Sequence, residues 1–136
     1  MRKRETDIAT LGEDDVSNAE EMVIALKPMK DATTLMSQEE NPTVCFIAPV
    51  HSKLLLKAQP NTKDKALVRA IKKAIHDDLS SRYTSEAEKN LLSTASALDP
   101  RFKALPFLKE EKREQVYGNV IAEAAALEVN MSLNSI

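Results

Sequence analysis

The sequence predicts a mainly α fold of four to five helices, and three observations carry that expectation. Only two glycines occur in 136 residues, too few for the repeated positive-φ turns of a β sandwich or barrel. Apolar residues recur at three- and four-residue spacing along most of the chain, the period of a helix face. Aromatics make up 4% with no tryptophan, so a core is built from Leu, Ile, Val, Ala and Met. The length suits one domain. It reads as a flexible leader over 1–14, a helical region over 15–128 and a flexible polar tail over 129–136.

Each element has its own signal. Val16, Ala19, Met22, Val23 and Leu26, then Met29 or Thr33, keep helical spacing. Pro28 lies inside that run, removes a donor and crowds the Ile24 carbonyl, which predicts a kink or break. Asn41-Pro42 is a second start signal. The helix after it places Val44, Ile47, His51, Leu54 and Leu55 on one side, with a second kink expected at Pro49. Gln59-Pro60-Asn61 is a break, and Asn61 or Thr62 can cap the next helix.

The cleanest periodicity lies in residues 63–83. Leu67, Ile71, Ala74, Ile75 and Leu79 share one face, with Lys65, Arg69, Lys72 and His76 opposite. Residues 86–97 read as a short helix, or as a helix passing into one short strand near 94–99, ended by Asp99-Pro100. The last helix is expected from Glu110 to Leu127, with Val116, Val120, Ile121, Ala124 and Leu127 on its apolar face. Glu110 and Glu111 complement the dipole of its first turn.

Composition excludes several function classes. The net charge of −2 gives no global basic field. A single cysteine, Cys45, closes no internal disulfide and suits a reducing compartment. No apolar run approaches the ~20 residues of a membrane span. Met1-Arg2-Lys3-Arg4 is basic but is followed by Glu5 and Asp7, so it reads as a solvated terminus instead of a secretory signal. An intracellular protein without membrane contact is expected.

Catalytic and metal chemistry find little support in the residues. One cysteine with His51 and His76 cannot supply the paired ligands of a structural zinc site. Cys45 sits among Val44, Phe46 and Ile47, surroundings that hide a thiol and raise its pKa. No glycine-rich loop is present to cradle a phosphate. Asp77-Asp78, Asp99 and Glu110-Glu111 are the carboxylates that a metal-dependent nuclease would use, yet nothing in their spacing gathers three into one site. Neither a cofactor nor a small-molecule substrate is expected. The best functional candidate is the basic face carrying Lys65, Arg69, Lys72 and Lys73, with Lys53 and Lys57 as its neighbours. Its bland reading is the solvated side of an amphipathic helix, and no interleaved aromatics are present to stack bases.

Several segments, in order, resemble the central to C-terminal part of hAT-type transposases and their domesticated BED-type zinc-finger relatives. They are Leu26-Lys27-Pro28-Met29, the proline-interrupted stretch 42–56, Asp78-Leu79 with Arg82-Tyr83, and Ala97-Leu98-Asp99-Pro100-Arg101-Phe102-Lys103 with Leu105 and Phe107-Leu108. Met29 stands where the family has an aromatic residue, and Lys109 where relatives place a capping Ser or Asp. The resemblance implies the end of a helical insertion re-entering an RNase H-like core. The family's catalytic aspartates and glutamate, its zinc finger and its dimerisation motif fall outside the matched segments, and Asp99 is not a catalytic position. It therefore implies a non-catalytic, domesticated nuclear protein acting in protein interaction or transcription-related DNA association. DNA would be reached directly or through a full-length relative or partner. Leu98, Phe102, Leu105 and Phe107 are the candidate interaction anchors, with burial in the core as their competing role. The alternatives are a DNA-binding module using the 65–73 face, a residual nuclease, and a truncated product without independent function.

Overall fold

The helix signals resolve into five α-helices in a computed structural model that describes residues 9–38, 40 and 44–136. They are α1 (Glu13–Met36), α2 (Val44–Lys57), α3 (Ala66–Ser80), α4 (Glu86–Ala97) and α5 (Glu110–Asn134), with no strand among the described residues. The fold is mainly α. The expected leader gives up Glu13 and Asp14 to α1, because the Asp15 carboxylate accepts the Gly12 N–H at 2.9 Å and anchors the helix start there. Residues 1–8 and the Asn41-Pro42 start signal lie outside the described residues.

The strand expected near 94–99 is not formed. Residues 94–97 complete α4, and the Leu98 N–H still reaches the Thr94 carbonyl at 3.1 Å. The start of α4 is strongly specified. Ser85 Oγ accepts the Glu88 N–H at 3.2 Å while the Glu88 carboxylate accepts the Ser85 N–H at 3.4 Å, a reciprocal capping box. Helical continuity then carries through the small residues at its end.

Neither internal proline ends its helix. Each removes the N–H that would bond the carbonyl four residues earlier. For Pro28 that carbonyl belongs to the exposed Ile24. For Pro49 it belongs to the buried Cys45, and Ser96 of α4 donates its hydroxyl there at 2.8 Å.

α2 is the hub, packed against α1, α3 and α4, while α4 passes contact on to α5 and α1 rests on α3. The core gathers Phe46 of α2, Leu92 and Ser96 of α4, Leu105 of the connecting loop and Val116 of α5. Leu105 is fully buried at 0% exposure and sits at φ 46°, a strained backbone for a leucine. The loop holding it is a run of three-residue turns, Asp99 to Ser96, Phe102 to Asp99, Leu105 to Phe102 and Leu108 to Leu105.

Two helix faces and one helix end differ from the periodic reading. On α1, Val16, Val23 and Leu26 are exposed, and Met22, Ala25, Pro28, Met29 and Ala32 turn inward. The small residues on this line allow α1 to approach α2 and α3. On α3, Val68 is buried and Leu67 exposed, since the helix is covered from two directions. α5 continues to Asn134 instead of stopping at Leu127, so most of the expected tail is helical. Its alanine-rich stretch after Gly118 has high helix propensity and no breaker.

Candidate functional site

A groove of 740 Å³ lies where α1, α2 and α3 meet. Its apolar lining comes from Ala25, Val50, Leu54 and Val68, with the exposed Ile24 beside them. Its walls carry Lys27, Lys53, Lys57, Lys63, Lys65 and Lys72 against Glu21, Asp31 and Asp64. Six ammonium groups therefore face three carboxylates, in a chain whose net charge is −2. The basic character is local and concentrated.

The pairing inside the groove is explicit. Lys27 bonds Asp31 at 2.8 Å, one helical turn away. Lys65 reaches across to Glu21 of α1 at 2.9 Å and to Ser17 Oγ at 2.8 Å, tying α3 to α1. Lys72 meets Asp64 at 2.8 Å with side chains only 19% and 17% exposed. The Lys72 ammonium, and after it the Asn61 N–H, hold the Asp64 carboxyl below the usual aspartate range. Lys53, Lys57 and Lys63 have no side-chain partner among the described residues. Within that set they are the groove's uncompensated cations.

The basic face read from the sequence is thus redistributed. Lys65 and Lys72 line the groove but are neutralised by ion pairs. Arg69 turns back to the Thr62 and Asp64 carbonyls at 3.3 and 3.0 Å and braces the loop before α3. Lys73 pairs with Asp77 at 2.6 Å on the outer surface. The expected cap at Asn61 or Thr62 is replaced by a turn in which Asn61 Oδ1 accepts the Lys63 N–H at 3.1 Å, and this turn places Lys63 on the groove wall. A sequence signal for the free lysines exists: α2 contains no acidic residue, so Lys53 and Lys57 have no intrahelical carboxylate to meet.

The four apolar anchors do not form one surface. Leu98 is 68% exposed, Leu105 is wholly buried, and Phe102 and Phe107 are half-buried. Phe102 packs edge-on against Phe46 with ring centres 5.2 Å apart. The Asp99-Pro100-Arg101 segment is a structural turn. Asp99 accepts the Arg101 backbone N–H at 2.8 Å and its guanidinium at 2.6 and 2.9 Å. That guanidinium lies 4.4 Å over the Phe46 ring. The Arg101 side chain, then the Cys45 thiol, hold the Asp99 carboxyl far below its ordinary range.

The remaining chemistry-bearing residues are structurally engaged. Burial, then the Asp99 carboxylate, push the Cys45 thiol up, and an uncharged thiol is a poor nucleophile. His51 Nε2 donates to the Leu79 carbonyl at 2.7 Å, which joins α2 to the end of α3. Asp78 pairs with Arg82 at 2.9 Å. Among the described residues no three His, Cys, Asp or Glu side chains converge to hold a metal ion, and no helix is long and apolar enough to cross a membrane.

No protein-family model, curated protein or solved structure matches this chain.

Proposed function

We propose that the chain is a non-catalytic helical module that associates with nucleic acid through phosphate contacts in the α1–α2–α3 groove. The observation carrying this reading is the set of three uncompensated lysines, Lys53, Lys57 and Lys63, on one groove of an otherwise acidic chain. Ammonium groups on flexible stems contact phosphates as point charges and carry no base information. The groove has no aromatic side chain on which bases would stack. Binding is accordingly expected to be weak, sequence-tolerant and salt-dependent. The hAT-like segments support the same reading and add a nuclear setting and descent from a transposase.

A protein partner is the second reading, favoured by a different observation. Every residue of α5 beyond Val120 is exposed, including Ile121, Leu127, Met131 and Leu133. An aliphatic helical arm of this kind is an association surface when it faces water.

The test is fluorescence anisotropy with a labelled duplex oligonucleotide at low salt. Lys53→Glu/Lys57→Glu/Lys63→Glu is expected to abolish binding, while Lys73→Glu/Lys103→Glu, which changes two lysines outside the groove, retains most of it. Equal losses in the two variants would show a diffuse charge effect and overturn the groove assignment. Failure of the wild-type chain to bind would overturn the reading altogether.

A further inference from the structure

A second, half-open cavity of 380 Å³, independent of the lysine groove, lies between α2, α4 and the head of α5. That volume falls in the range of small-ligand pockets. Its apolar lining comes from Ala48, Leu55, Leu92, Phe107 and Leu108. Two polar features break this lining.

The first is Ser93. It is 7% exposed and lines the cavity, yet its hydroxyl makes no hydrogen bond with the described residues. The oxygen itself is not sealed from solvent, although a serine within a helix usually turns its hydroxyl back to the preceding turn. His51, in the same lining, has its Nε2 hydrogen committed to the Leu79 carbonyl, which leaves Nδ1 as the ring's uncommitted polar atom. Tyr83 closes this wall edge-on to His51 at 5.4 Å, on a backbone held at φ 54°.

The second is charge. Lys89 and Lys112 both line the cavity and both lean on one carboxylate, Glu86, at 3.6 and 3.2 Å. Two ammonium groups share a single negative charge, so one positive charge is uncompensated at the rim. Arg82, also on the rim, is satisfied by Asp78.

We propose that this cavity binds an amphipathic organic anion, a compact apolar group bearing one carboxylate or sulfonate. The apolar group occupies the space lined by Leu92, Phe107 and Leu108. The anionic head accepts from the Ser93 hydroxyl and from the ammonium group that Glu86 leaves unbalanced. Water satisfies the same polar groups but leaves the apolar lining wet, whereas an amphipathic anion serves both parts of the cavity.

The experiment titrates the full chain with 1-anilinonaphthalene-8-sulfonate by fluorescence, then displaces the probe with octanoate or octanol. Saturable one-to-one binding is expected, reversed by octanoate at concentrations where octanol has little effect. Lys89→Met/Lys112→Met and Ser93→Ala, each checked for native circular dichroism, are expected to weaken the probe by about tenfold and severalfold. Absence of saturable binding overturns the proposal. Equal displacement by octanol, or unchanged affinity in both variants, also overturns it by locating the probe on a merely apolar surface such as the α5 arm. If one variant fails to fold, the other and the octanoate–octanol comparison still decide.

Discussion

Ser96 of α4 donates its hydroxyl to the Cys45 carbonyl of α2 at 2.8 Å, and Pro49, four residues on, lacks the N–H that ordinarily bonds that carbonyl in a helix. Ser96 is 0% exposed, so no water reaches the pair from outside. The proline that should disrupt α2 is thereby tolerated, and the same bond fixes the register of α2 against α4. A side chain on one helix completes the backbone of another.

This relationship predicts a specific coupling. Ser96→Ala removes this buried hydrogen bond and is expected to lower the unfolding free energy by about 1 kcal/mol. Pro49→Ala restores the N–H within α2, so Ser96→Ala should cost much less in that background. A double-mutant cycle in urea measures the difference, and additive costs would contradict the assignment.

Leu105 and Leu98 should behave as opposites although both belong to the stretch that resembles the hAT proteins. Leu105→Ala empties a fully enclosed position and is expected to cost about 2–5 kcal/mol. Leu98→Ala, at an exposed site, should fall within about 0.5 kcal/mol of the parent. Denaturant midpoints of the two variants check this directly.

The Asp99–Arg101 pair predicts an acid limb. Asp99 ordinarily titrates near 3.8 and is held well below that in the folded chain, chiefly by the Arg101 side chain. A depressed carboxyl stabilises the fold above its unfolded value and loses that contribution as pH falls toward its folded value. Unfolding titrations should therefore show declining stability below about pH 4. Asp99→Asn should be less stable at neutral pH and lose less on acidification, so the two curves converge.

Arg113 offers a gain. Its Nε is buried without a hydrogen-bond partner among the described residues. Arg113→Met keeps most of the apolar stem and removes the orphaned donor, so thermal or urea unfolding should show about 1 kcal/mol more stability. A loss of similar size would mean that the guanidinium is satisfied by solvent.

How much the sequence disclosed depends on how local the cause was. The lack of a side-chain cap at Lys109 and the end of α4 at Asp99-Pro100 were legible because neighbours in sequence decide them. The inward faces of α1 and α3 were legible in part: Met22, Met29, Ile71, Ile75 and Leu79 turn inward as the spacing predicts, while Val16, Val23, Leu26 and Leu67 do not, because partners on two sides decide which apolar stripe is covered. Helical spacing alone therefore chose Leu67 where the fold buries Val68. The candidate site shows the same division. Counting basic residues along one helix found Lys65 and Lys72, both neutralised by acids that fold in from elsewhere. Lys53 and Lys57 were rightly placed beside that face, but that they and Lys63 of the loop before α3 are the ones left unpaired depends on tertiary structure.

The most direct test of the nucleic-acid reading is the salt dependence of duplex binding, compared between the parent chain and Lys53→Gln/Lys57→Gln/Lys63→Gln. Three released counterions predict a slope of about −2.7 in a plot of log affinity against log salt for the parent. The slope should fall toward zero in the variant. A parent slope that survives removal of all three lysines would contradict the assignment of phosphate contacts to this groove.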